Sequence, residues 1–161
     1  MNVQVPWEYT SSEFVQVTVS RGGVPSVPVF LQLSPPRPGI FDVPGVGPII
    51  VSLATAHLVN ANQPTQAGDV LLIYATGLGP VSSPVQTGAA APLTELSECV
   101  VPIQVILDGV ARDVMFAGLA PGFVGVYQIN FRVPGVSAGE HRLRISVAGV
   151  LSNEVSITVA L

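Results

Sequence analysis

Lysine is missing from this sequence altogether, and the six cations are Arg21, Arg37, Arg112, Arg132, Arg142 and Arg144. Ten carboxylates outnumber them, for a formal net charge of -4. So few cations generate no field that would draw in a phosphate backbone, which argues against nucleic acid as a partner and against anionic membrane surfaces. Cysteine is nearly absent too: Cys99 stands alone, so no internal disulfide forms. The two histidines, His57 and His141, lack metal-ligand spacing, and no D-x-D-x-D-G calcium loop occurs, so no metal and no cofactor is expected. No apolar run approaches the roughly 20 residues that a spanning helix needs, so no membrane span is expected. Met1 leads directly into strand-like sequence without a basic or apolar leader, so no signal peptide is expected within the chain.

What the sequence does have is apolar residues and turn formers. Hydrophobic residues are 48% of 161 and charged residues 10%, while 16 Gly and 15 Pro punctuate the chain. Many short strands joined by tight turns require that mixture, and the length suits one domain, or one domain and a fragment. The clearest strand lies in PGFVGVYQINFRVPG, residues 121–135. There Tyr127, Ile129, Phe131 and Val133 alternate with Gln128, Asn130 and Arg132, an apolar face against a polar one, until Pro134 ends the run.

Phe14 to Ser20 alternates in the same way, Arg21-Gly22-Gly23 is a hairpin signal, and Val27 to Leu33 returns as a strand. Residues 35–47, rich in Pro and Gly, read as a stiff linker. Beyond it come Ile49–Ala54 and then Asp69–Thr76, apolar enough for a strand buried on both faces. Val101–Leu107 turns through Asp108-Gly109 into Ala111–Phe116, and the strand ending at Pro134, Glu140–Val147 and a strand through Val155, Ile157 and Val159 follow. Seven strands with no helical periodicity predict an all-β fold, an immunoglobulin-like β-sandwich over 48–161. Val81–Glu98, polar and rich in small residues, is a loop whose length marks it as mobile or functional.

Asn2-Val3-Gln4-Val5-Pro6 matches Asn130-Phe131-Arg132-Val133-Pro134, and Gly23-Val24-Pro25-Ser26 matches Gly149-Val150-Leu151-Ser152. Residues 1–34 therefore read as the last three strands of a truncated sister repeat. An uncovered apolar face of Val15, Val17, Val19, Val29 and Leu31 is marginal alone. It is expected to find a partner in the complete unit or in a second chain, giving a homo-oligomer through sheet edges.

Four blocks carry a family resemblance: NVQVPWE, the PGIF after the third strand, GD-x6-TGLGPV at 68–81, and FAGLAPGFVGVYQINFRVP at 116–134. Together they resemble the C-terminal domain family of large secreted Solibacter-type acidobacterial proteins, an uncharacterised family similar in plan to IPT/TIG-type immunoglobulin-like domains. The likeness covers nearly the whole chain. It implies an extracellular or cell-surface location, neighbouring domains of a parent protein as partners, and no catalytic residues.

Several side chains are candidates for chemistry. Arg132, Arg142 and Arg144, with Gln128 and Asn130, share an outward face if 126–133 and 140–147 pair as a hairpin. Such a row suits a carboxylate or an acidic glycan, or it is a solvated face neutralised by Glu140 and Glu154. Trp7 and Tyr9 are placed to stack on a sugar ring or to dock the first strands onto the complete unit, and docking is favoured because Trp7 stands where the second copy has Gly135. A hydrolase site would use Cys99 with His57 or His141, oriented by Asp69, Asp108 or Asp113. Against it, there is no G-x-S-x-G elbow, and a lone Cys is commonly a small buried hydrophobe. The glycines of TGLGP lack the lysine and the helix of a phosphate loop and read as a turn. The expected function is a non-catalytic extracellular accessory module serving adhesion, spacing or glycan attachment, with a polysaccharide or cell-surface ligand. A small Cys/His hydrolase and a self-assembling β-sandwich element are the alternatives.

Overall fold

The computed structural model describes residues 3–8, 14–33 and 36–161. They contain no helix, and so none long and apolar enough to cross a membrane. The fold is all-β. Its main strands are β1 (Phe14–Val17), β2 (Val29–Gln32), β3 (Gly39–Ile40), β4 (Ile50–Ser52), β5 (Thr65–Gln66), β6 (Val70–Thr76), β7 (Ile103–Leu107), β8 (Val110–Asp113), β9 (Phe116–Leu119), β10 (Tyr127–Arg132), β11 (Gly139–Val147) and β12 (Val155–Ala160).

From β3 onward these strands make two sheets that share one core. The first runs β9–β10–β6, with β3 and β4 sharing the far edge of β6. The second runs β8–β7–β11–β12–β5, antiparallel except where β5 lies parallel to β12. Alternation supplies the core. Leu71, Ile73, Tyr127, Ile129 and Phe131 point inward from the first sheet, and Ile103, Val105, Leu143, Ile145, Val147 and Ile157 from the second. Their intervening neighbours face outward, as the period of two demands.

The structure departs from the sequence expectation in four places. Strand β6, expected to be buried on both faces, is fully buried on one; Val70, Leu72 and Tyr74 on the other remain half-buried, with Tyr74 against Phe123 at 6.1 Å between ring centroids. Residues 111–116, read as one strand, divide between sheets, since β8 pairs with β7 while β9 pairs with β10. Strands β10 and β11 form no hairpin: Val133 exchanges backbone hydrogen bonds with Gly68 and Asp69, and Pro134 sends the chain across to the other sheet. Finally, β3 lies in the stretch read as a linker. It pairs with Ala75 and Thr76, and the Asn153 side chain holds both the N–H and the carbonyl of buried Ile40.

The β1–β2 hairpin has the same register as the β11–β12 hairpin, 126 residues further on. Val15 opposes Leu31 as His141 opposes Ile157, and Val17 opposes Val29 as Leu143 opposes Val155. In both, a serine closes the turn region: the Ser26 hydroxyl accepts from the Val19 N–H and donates to the Val27 carbonyl, while Ser152 does the same for Ile145 and Asn153. Their burial differs. Ser152 is 6% exposed, whereas Ser26 is open to water.

This difference fixes the cost of removing each hydroxyl. Ser152→Ala orphans the buried Ile145 N–H and should lower unfolding stability in urea by about 1–3 kcal/mol. Ser26→Ala leaves its donor to solvent and should shift the same transition by less than about 0.5 kcal/mol.

Candidate functional site

The components of a Cys/His site are dispersed. Cys99 lies outside β9, its N–H donated to Ala117, while His57 lies outside β4 at the opposite edge of the first sheet. The five strand spacings between them amount to roughly 24 Å. The Cys99 thiol is half-buried, and burial pushes its pKa up to about 11, so it is a protonated and weak nucleophile at neutral pH. Asp69 serves a turn: its carboxylate accepts from the Thr65 hydroxyl and the Gln66 N–H where the chain passes from β5 to β6.

His141 is near the Leu107 end of β7, whereas Cys99 precedes the Ile103 end. Its Nδ1 is 2.6 Å from the Asp108 carboxylate and its Nε2 is 2.8 Å from the Ser137 carbonyl. Both partners only accept, so both ring nitrogens carry protons and neither has a lone pair for base catalysis. Asp108 occupies the tight turn after β7 at a φ of 50° and also accepts from the Arg142 N–H. The hydrogen bond to Asp108, then the Ser137 carbonyl, raise the His141 pKa; the hydrogen bond from His141, then the Arg142 N–H, lower that of Asp108.

The arginine row does not assemble. Arg132, on the first sheet, donates to the Gly68 carbonyl at 2.7 Å, and Gln128 donates to Asn130. Arg142 and Arg144, on the second sheet, flank Glu154 at 3.7 and 3.1 Å, and Glu140 accepts from the Ser156 hydroxyl. These are exposed pairs of small energetic weight. Among the described residues no three His, Cys, Asp or Glu side chains gather as a metal site would require.

What the structure does build is a socket around the N-terminal segment. Trp7 packs against Tyr127 in a T-shaped pair, with ring centroids 6.4 Å apart and planes at 83°, and its backbone N–H donates to the Thr87 hydroxyl, which in turn donates to Glu8. Gln4 accepts from the Gly88 N–H and lies across Gly125, where a Cβ would come within 2.9 Å of its Cγ. Tyr9 lies outside the described residues. Beside this segment the Arg37 carbonyl approaches Gly77 so closely that a Cβ there would stand 2.0 Å away. The Tyr127 hydroxyl donates to the Gly79 carbonyl, and burial, then the neighbouring Cys99, push its pKa up.

The loop expected to be mobile or functional forms the wall of the socket. Residues 97–99 run beside β9, a packing that only Gly118 admits, since a Cβ there would stand 2.3 Å from the Ser97 carbonyl. Ala91 exchanges backbone hydrogen bonds with Gly122 and Phe123 and is buried. Between N-terminal segment and sandwich lies a cleft of about 520 Å³, lined by Trp7, Tyr127, Arg37, Gln4 and Leu33 among others. The buried Gln4 Nε2 and Trp7 Nε1 have no partner among the described residues. Sequence reasoning placed Trp7 here but missed Gln4, Thr87, Gly88 and Gly125; the paired glycines of the TGLGP and APGFVG stretches were the available signal, legible only as turns. Comparison of the chain with protein-family models, curated proteins and solved structures returns no match.

Two outcomes follow from this geometry. Gly125 has a φ of +65° and Gln4 against it, so Gly125→Val should cost about 1–2 kcal/mol of backbone strain and expel the segment, shifting the emission of Trp7, the single tryptophan, to the red. Gly135→Val, in open space without a positive φ, should leave the emission unchanged.

The second outcome is a pH profile. His141 has a raised pKa in the fold, so its contribution to stability is complete below the unfolded value near 6.5 and is lost as pH rises through the folded value. Asp108 has a lowered one, so its contribution is complete above the unfolded value near 3.8 and is lost as pH falls through the folded value. Stability from the pair should therefore be greatest between about pH 4 and 6.5. Urea unfolding at pH 6 and pH 8 should show a loss in the native chain that His141→Gln removes.

Proposed function

We propose that this chain is a non-catalytic accessory module of a larger exported protein, acting outside the cell or at its surface, and that its work is spacing: it holds the module preceding it in one orientation. The observation that carries this reading is the socket, in which Gly77, Gly118 and Gly125 leave room for backbone or side chain of the preceding segment and of the loop that grips it. An ordinary turn would not need three such close approaches. The blocks that resemble the Solibacter-type family lie around this socket, and on those residues we read the chain as a member of that family. The strand order β4–β6–β10–β9 against β8–β7–β11–β12–β5 supports an immunoglobulin-like plan. The matching hairpin registers support reading residues 1–34 as part of a sister repeat.

A second reading, glycan attachment, is favoured by one feature: the cleft is lined by Trp7, Tyr127 and Arg37, and the Gln4 Nε2 and Trp7 Nε1 beside it have no acceptor among the described residues. A saccharide supplies acceptor oxygens and an apolar ring face to such a surface.

Spacing and catalysis give opposite results in one experiment. The purified chain is assayed against chromogenic esters, phosphoesters and glycosides while the anisotropy decay of Trp7 is recorded. A rigid spacer gives no turnover and a tryptophan that tumbles with the whole molecule. Turnover abolished by Cys99→Ala, or a freely rotating Trp7, overturns the proposal.

A further inference from the structure

The chain crosses from the first sheet to the second between Val133 and Gly139, and little holds it there. Val133 is anchored through Gly68 and Asp69, and Gly139 is paired with Val159, but from Pro134 to Ser137 the chain makes no backbone–backbone hydrogen bond among the described residues. One apolar and one polar tie remain: Val136 packs half-buried against the core, and the Ser137 carbonyl lies 2.8 Å from Nε2 of His141. His141 is itself 6% exposed, with Nδ1 at 2.6 Å from the Asp108 carboxylate. An ionised carboxylate and a carbonyl both only accept, so the imidazole satisfies the two of them only when it carries both protons.

We propose that His141 is a proton-operated latch on this crossover: its Nε2–H holds residues 134–138 against the end of the sandwich, and loss of that proton to water at higher pH lets them swing out. Which bond goes is decided by charge. The single proton of a neutral ring stays on Nδ1, where the acceptor is a carboxylate. Nε2 then presents a lone pair to the Ser137 carbonyl at hydrogen-bond distance, a repulsive contact, and no other polar group described retains the segment. No charge besides Asp108 bonds the ring. Glu140 and Arg142, its neighbours on β11, engage Ser156 and Glu154, and its partner on β12 is Ile157. At the start of the crossover Arg132 donates to Gly68, and Asp69 is taken up by Thr65 and Gln66. The hydrogen bond to Asp108, then the Ser137 carbonyl, raise the pKa of His141, so the closed form extends above the ordinary histidine range. The latch stands at the Arg132 end of β10, roughly 20 Å of strand from Tyr127 and the socket. One end of the module therefore responds to pH while the other keeps its grip, a property that goes beyond spacing.

Methyl NMR of the full chain tests this from about pH 5 to about pH 10, with the His141 ring carbons and the Trp7 emission followed in parallel. In the native chain the Val136 methyls should be ordered at the acid end and should lose that order along the curve on which His141 gives up its proton, while the Trp7 emission stays constant. Two variants move in opposite directions. His141→Phe fills the site without a donor, so Val136 should lack that order at every pH. Asp108→Asn keeps an oxygen for the Arg142 N–H, offers an amide N–H to Nδ1 and tolerates the φ of 50°. A neutral ring then donates from Nε2 to Ser137, and the crossover should stay closed over the whole range. This second variant decides the matter even if His141→Phe fails to fold. Val136 methyls that keep their order after His141 has titrated, an Asp108→Asn chain that opens on the native curve, or a Trp7 emission that shifts to the red along with the crossover, as in general unfolding, would each overturn the proposal.

Discussion

Closure of two sheets on one apolar layer is the constraint on which everything else here depends. Strands β6 and β11 sit at the centres of their sheets, and their inward residues, Leu71 and Ile73 on one and Leu143, Ile145 and Val147 on the other, have no exposure at all. Charge contributes little to the fold, because few charges exist and most pairs are exposed. The polar interactions that matter are those at turns and crossings, where the strand ladders end. Asp69 closes the passage from β5 to β6, Asn153 ties Ile40 of the first sheet to a turn of the second, and Asp108 ties the β7–β8 turn to β11 through His141 and Arg142. Each is a carboxylate or an amide satisfying backbone where the ladder cannot.

The socket is a consequence of the same sandwich. Once β9 and β10 lie at one edge, the long loop has only the outside of β9 to run along, and Gly118 is what permits it to lie flat there. The loop is held along its length rather than free, and its Thr87 and Gly88 present the hydroxyl and N–H that engage Trp7 and Gln4. Tyr127 connects the two regions, with its inward ring in the core and in T-shaped contact with Trp7, and its hydroxyl on the Gly79 carbonyl. The tryptophan is thus neither a free stacking platform nor a bystander, being packed against the core while its ring N–H is left without a partner among the described residues.

The nucleophile and bases that composition allows are each occupied or remote. Burial keeps the Cys99 thiol protonated, His141 is held as a double donor, and Asp69 is a turn residue. The arginines are split between sheets because Pro134 and the Val133 backbone bonds carry the chain from one to the other instead of letting β10 and β11 pair.

How much of this was legible beforehand follows from what one-dimensional patterns encode. Alternation through Tyr127–Val133 and Leu143–Val147 determined the strands and their inward sets, and glycines after Arg21, Asp108 and Ala148 determined where hairpins turn, because both depend only on neighbours along the chain. The common register of the two hairpins is also visible as matching residues in the sequence. The division of residues 110–119 between two sheets was not legible, since a strand that switches sheets keeps its period of two and Val114-Met115 carries no breaker. Nor were the reasons for Gly77, Gly118 and Gly125, whose missing Cβ atoms matter only against Arg37, Ser97 and Gln4, between 21 and 121 residues away along the chain. Sequence by itself determined the elements, their faces and their turns; which sheet each strand joined, and what each glycine made room for, was decided only when distant segments came within van der Waals distance.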